Sequence, residues 1–376
     1  MRVSALASIC SAVLFCGLTN GATAAPPDRA SLQQALDRLV AAGAPGAVLL
    51  VRDGHRTIRL ASGYSVVARR VRAQPGDRFR IGSVTKTFVS TVVLQLVGEG
   101  KLTLDDTVEH VLPGRLRGGA RITVRELLQH TSGLYNYLND PRVLRPYLNG
   151  NVRYVWTPSQ LLAIANDHEP DFPPGTRWEY SNTNYLVLGL IVEAVTGKPL
   201  ASELKRRVFD RAGLRATTFA TRATIAGRHM HGYYPLNKRL TDVSVLSPSS
   251  VWAAGAIVST ADDVARFYRA LLRGRLLRTD LLREMESTVP MGFPSNAYGL
   301  GLWRTGTMAL SSTPFRCGAA WGHDGAWAGY YTDAFNSKDG TRQFVLFVNR
   351  DEKALTPQIK RAMFAIGSKA YCGTSG

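Results

Sequence analysis

Three short stretches of this chain carry residue types that could act together on a carbonyl. In Gly82-Ser83-Val84-Thr85-Lys86 a hydroxyl and an amine stand three residues apart. An apolar run follows, in which Phe88, Val89, Val92, Val93 and Leu96 recur at helical spacing. Positions three apart share a helix face, so the Lys86 amine can reach the Ser83 hydroxyl. A helix start also offers unpartnered N–H groups and the positive end of the helix dipole. A hydroxyl, a basic neighbour and spare amide donors at one point are what an acyl-serine enzyme needs. The second stretch, Tyr180-Ser181-Asn182, lies between a Pro174-Gly175 turn and another apolar helix, Tyr185 to Val195. The third, His323-Asp324-Gly325, leads into a strand-like segment.

No stretch is specific alone. Ser202 and Lys205 repeat the first spacing, and Tyr137/Asn139 and Tyr147/Asn149 repeat the second. The signal is order with context.

The elements that must position these residues follow from periodicity and punctuation. Ser31 reads as the N-cap of an amphipathic helix through Val40 and Ala41. Gly46 to Val51 and Thr57 to Ala61 read as strands joined at Asp53-Gly54. Residues 101–214 are mainly helical: Ile122 to Gln129, a helix opened by Thr157-Pro158, the buried Tyr185 to Val195, and a surface helix, Ser202 to Arg207. Ser259 to Leu272 is helical with Thr260 as cap. Tyr330 to Phe335 and Gln343 to Val348 are strands around an Asp339-Gly340 turn, and Gln358 to Tyr371 is a closing helix. The fold class is therefore α/β (α+β). An antiparallel sheet flanked by helices, from residues of about 30–90 and 290–372, receives a mainly helical insert, about 91–289. A cleft between the two is the expected place for a small-molecule site.

With Leu127-Leu128-Gln129-His130-Thr131-Ser132-Gly133-Leu134 between the first two, the motifs resemble the penicillin-recognising serine hydrolases related to class C β-lactamases. Within that family they resemble the secreted actinomycete D-alanyl-D-alanine carboxypeptidase/transpeptidases. The resemblance implies a β-lactamase/transpeptidase-like fold and no cofactor or metal. It implies a D-amino-acid peptide, amide or β-lactam substrate cleaved through an acyl-enzyme. Ser83 would be acylated and Lys86 would polarise it. Tyr180, its phenol made more acidic by the lysine cation, would move the proton. Which of Lys86 and Tyr180 is the base stays open. Asn182 would bind the acyl-side amide, and His323 takes the place of the usual third-motif lysine. Gly325 would let substrate lie against the strand, and the N–H groups of Ser83 and Ala326 would form the oxyanion hole. Cys317 and Cys372 stand where the related enzyme carries a disulfide.

The departures fall on the substrate's carboxylate. The related enzyme has two hydroxyl residues where this chain has Asp324 and Ala326, and an arginine where it has Trp303, with Arg304 next. An aspartate there would repel a carboxylate. Amides, esters or amine-bearing substrates are therefore expected over free acids. A β-lactamase or esterase, and a penicillin-binding protein without turnover, are the alternatives.

The length of 376 residues, with 45% hydrophobic and 20% charged, suits one large globular unit or two interlocked domains. Arg2, an apolar run from Ala5 to Leu18 and the small residues Ala22-Thr23-Ala24 predict a signal peptide over residues 1–24, hence a secreted protein. Cys10 and Cys16 lack the small preceding residue of a lipoprotein site. In an exported chain the two remaining cysteines favour a bridge, which would tie the C-terminal helix to the sheet. The net charge of +18 favours anionic partners such as wall polymers. No nucleic-acid module accompanies it, and a monomer is expected. His229 and His231 have metal-ligand spacing but no carboxylate or cysteine cluster to complete a site.

Overall fold

The computed structural model describes residues 28–237, 239–306 and 317–373; the leader expected over residues 1–24 lies outside them. A nine-stranded antiparallel sheet runs across the molecule. Its order is Val71–Arg72, Arg56–Val66, Gly46–Asp53, Arg342–Val348, Tyr330–Asn336, Ala320–Trp327, Trp303–Thr305, Asn296–Tyr298 and Val289–Pro290. Strands from the two ends of the chain meet at its centre, where Leu49 stands opposite Leu346.

Strand alternation gives this sheet two apolar faces and hence two cores. On the outer face, Leu49, Val51, Phe344 and Leu346 pack under the terminal helices Arg29–Ala41 and Pro357–Cys372 through Leu32, Leu36, Ile359 and Ile366. A disulfide from Cys317 to Cys372 fastens the last helix there, with Cα atoms 5.3 Å apart. On the inner face, Val48, Leu50, Val345 and Phe347 pack toward the helix Thr85–Gly98 and the helical segments between the two halves of the sheet. Every residue of that helix from Thr85 to Leu96 is buried, polar ones included. Phe88 stacks on Phe267 with ring centres 3.6 Å apart.

Several local expectations shift. The first helix is capped by Asp28, whose carboxylate accepts the Ser31 N–H, so Ser31 lies inside the helix. The helix expected from Ile122 begins at Val124, because Thr123 and Glu126 form a reciprocal capping box before it. Ile257–Ser259 is a strand, placed between Phe79–Arg80 and Thr218–Phe219 in a small second sheet, and the helix it leads to starts at Ala261. Its short length hid it inside a helical pattern.

The segment expected as a surface helix at Ser202 to Arg207 is a correction. Glu203 is fully buried and Arg207 nearly so, because they neutralise each other. Arg207 donates through Nε to Glu203 at 2.5 Å and through its other nitrogens to Glu99 at the end of the serine helix. Removing Arg207 would leave the buried Glu203 carboxylate with only the exposed Arg206, which donates to it at 2.9 Å, and would strip Glu99 of its buried partner. Arg207→Leu is expected to cost about 3 kcal/mol, read as a lower denaturant midpoint. A midpoint equal to the parent's would contradict this.

Candidate active site

Ser83 sits in a single 3₁₀ turn, Gly82–Val84, that feeds directly into the buried helix Thr85–Gly98. The small second sheet holds this turn from behind: the Ile257 N–H donates to Thr85 Oγ at 3.1 Å. The edge of the large sheet holds it from the front. Gly82 has φ +52°, and a Cβ there would stand 2.6 Å from the Ala326 carbonyl oxygen. A Cβ on Gly325 would stand 2.0 Å from the Ile81 oxygen and 3.1 Å from the Ser83 nitrogen. Both glycines are needed for that approach, which brings the backbone of Ala326 beside that of Ser83. Of residues 81–90 only Ser83 keeps exposed surface.

The Ser83 hydroxyl oxygen lies 3.1 Å from Lys86 Nζ and 2.8 Å from the Tyr180 phenol oxygen, whose O–H donates to it. Lys86 is fully buried. Its Nζ also donates to Asn182 Oδ1 at 2.8 Å and to the Ala254 carbonyl at 3.0 Å. Burial holds the amine well below its ordinary value, against the opposing pull of the Asp324 carboxylate. A neutral amine has two N–H donors and one lone pair. The two carbonyl oxygens take both donors, so the lone pair is left facing the Ser83 hydroxyl.

Tyr180 departs from expectation. Its phenol is not made more acidic: burial pushes it well above the ordinary value, outweighing the hydrogen bond to Ser83. Desolvation acts on both groups, leaving a neutral amine beside a protonated phenol.

His323 lies in the strand Ala320–Trp327, but its contacts go elsewhere. Nδ1 lies 2.5 Å from the Asp324 carbonyl oxygen, so it carries the proton there. Nε2 lies 2.9 Å from the Tyr298 hydroxyl. The ring is 6.5 Å from that of Tyr180, centre to centre. His323 is thus placed at the rim of the serine, amine and phenol group, with Tyr298 as its partner.

Along this strand His323 and Gly325 face inward, while Asp324 and Ala326 share the outer face with their cross-strand partners Asp333 and Tyr331. Trp303 is also on the outer face, against Phe335, with ring centres 5.8 Å apart. Arg304 is exposed on the inner side, opposite Trp321. The hydroxyl and arginine positions of the resemblance therefore border a carboxylate group. Burial raises the Asp333 and Glu352 carboxyls, and the Asp324 charge pushes both further in the same direction.

The decoy motifs do other work. Lys205 pairs with Asp210, Tyr137 donates to the Ser250 carbonyl at 2.7 Å, and His231 Nδ1 contacts Asp242 at 2.6 Å. Sequence reasoning missed Ala254, which acts through its backbone and leaves no side-chain signal. It also missed Tyr298, and His130 inside a stretch that carries the resemblance.

The profile described as Beta-lactamase matches residues 32–366. The chain belongs to the Beta-lactamase family of serine hydrolases. Its structure is similar to a D-stereospecific amidohydrolase from Streptomyces sp., at 40% identity and a TM-score of 0.83 over 93% of this chain and 100% of that one. It is also similar to D-amino acid amidase from Ochrobactrum anthropi SV3, at 27% identity and a TM-score of 0.79 over 91% and 96%. In sequence it is 27% identical to D-aminopeptidase of Brucella ovis over 86% of this chain, spanning 60% of that enzyme's length.

Because only a neutral Lys86 offers a lone pair, kcat/KM is expected to rise with pH as one proton is lost and to level off well below pH 10.5. Between the folded and unfolded values of this amine the unfolded chain binds more proton, so its contribution to stability also rises with pH. A rate profile that rises only near the ordinary lysine value of about 10.5 would contradict the assignment.

Proposed function

We propose that this protein is an exported D-stereospecific amidohydrolase, cleaving D-aminoacyl amides and short D-peptides through an acyl-enzyme on Ser83. The observation that carries the reading is the Ser83 oxygen held between the Lys86 amine and the Tyr180 hydroxyl. Ser83 Oγ attacks the carbonyl carbon as its proton passes to Lys86 Nζ. The N–H groups of Ser83 and Ala326 receive the oxyanion. The carbon–nitrogen bond breaks as the Tyr180 proton moves to the leaving nitrogen, and the proton on Lys86 restores the phenol. Water then attacks the ester by the same steps in reverse, giving the D-amino acid and free Ser83.

The substrate class is supported from two sides. Relatives named D-stereospecific amidohydrolase, D-amino acid amidase and D-aminopeptidase match most of the chain. The Asp324 carboxylate, 3.3 Å from His323 Nδ1, makes the third-motif strand a poor host for a C-terminal carboxylate. The leader expected over residues 1–24 and the net charge of +18 suit a life among anionic wall polymers.

The test compares kcat/KM for D- and L-phenylalanine amide, and for a D-alanyl-D-alanine peptide and its C-terminal amide. Turnover of the D-amide over the L-amide is expected, with the peptide amide cleaved at least as well as the free acid. A preference for the free acid of about 10-fold or more would overturn the substrate assignment.

A further inference from the structure

His130 occupies a costly position that the reaction scheme leaves unexplained. It is fully buried, and it closes the helix Val124–Gln129 in the left-handed region at φ +61°, where a residue with a side chain is rarely placed. Its ring lies against Tyr180 with centres 4.4 Å apart and planes 33° apart, and the rings of Tyr298 and Tyr185 lie 4.9 and 5.4 Å away.

The hydrogen bonds fix its tautomer. Nδ1 accepts from the Ser181 N–H at 3.3 Å and from the Asn184 side-chain amide at 2.9 Å. Asn184 must present its N–H₂ there, because its Oδ1 takes the Ser132 hydroxyl proton at 2.5 Å. The imidazole proton is therefore on Nε2, which has no hydrogen-bond partner among the described residues. Protonating Nδ1 would turn it against two donors. Burial holds the ring well below its ordinary value and so keeps it neutral.

We propose that His130 is a positioning residue for Tyr180, holding the phenol on the Ser83 oxygen so that its proton reaches the leaving nitrogen. It acts at two points. The bond to the Ser181 N–H fixes the backbone from which the phenol hangs, and the stacked ring limits the swing of the phenol itself. A charged ring in the same place would repel the proton that Lys86 must accept. The inference rests on the reading of Tyr180 as proton donor, and the test separates the two.

An amide leaves as an amine and needs that proton, whereas p-nitrophenolate leaves without one. The measurement is kcat/KM, which reports acylation, for D-phenylalanine amide and D-phenylalanine p-nitrophenyl ester. His130→Asn is the variant of choice, since asparagine tolerates the left-handed backbone and removes the ring. It is expected to lower the amide value about 10- to 100-fold and to change the ester value by less than about 3-fold. In a Tyr180→Phe background the same change should add almost nothing. Equal loss on both substrates, or a full further loss in the Tyr180→Phe background, would show a merely structural role and overturn the proposal. Amide-selective loss in Tyr180→Phe but not in His130→Asn sinks His130 alone. Its absence from both sinks the reading of Tyr180 and this inference with it. If His130→Asn does not fold, Asn184→Ala is measured in the same way; an unchanged amide-to-ester ratio there overturns the proposal.

Discussion

Burying a primary amine whose hydrogen-bond partners are all uncharged is the constraint on which the site depends. Lys86 is fully enclosed, and an ammonium there would lose far more solvation than two carbonyl oxygens return. Burial therefore favours the unprotonated amine, whose lone pair is then turned to Ser83. The same desolvation keeps the Tyr180 phenol protonated. In the proposed reaction, one physical cause thus sets a base and an acid on either side of a hydroxyl.

The fold exists, in functional terms, to enforce that burial. Lys86 meets Asn182 from 96 residues away and Ala254 from 168 residues away, so no local segment can assemble the contact. The serine helix is enclosed on all sides by the insert, and the third-motif strand closes the front through Gly82 and Gly325. The outer core, against which the Ala326 side chain packs, holds the sheet on which the reacting groups are set. Its disulfide closes a loop of 55 residues, a constraint on the unfolded chain of about 4 kcal/mol in the chain-entropy view.

Much of this was legible in the residues. Spacing alone brought the Lys86 amine within reach of the Ser83 hydroxyl, and order with context singled out Ser83 and Tyr180 from their decoys. Long periodic elements such as Tyr185 to Val195 were readable because their burial is nearly uniform. Signs of charge were not. The influence of Lys86 on Tyr180 reads from sequence as charge on phenol, whereas enclosure neutralises the lysine before it can act. Backbone partners were invisible too: nothing in the letters Ala254 announces a carbonyl aimed at an amine. Face assignment along a short strand also needed the partner strand. Asp324 follows His323 directly, and only the register with Asp333 assigns it to the other face, from which its carboxylate reaches back to within 3.3 Å of His323 Nδ1. The stretch Ser202 to Arg207 read as a surface helix because the partner that buries Arg207, Glu99, comes from the end of another helix.

The central claim is that Ser83 Oγ becomes bonded to the acyl group of its substrate. Intact-protein mass spectrometry after rapid acid quenching of the enzyme with a D-phenylalanine ester, followed by peptide mapping, tests it most directly. The account predicts one added D-phenylalanyl group on the peptide containing Ser83, and none in Ser83→Ala, which should also be inactive. An acyl group mapped to another residue, or hydrolysis that survives in Ser83→Ala, would contradict it.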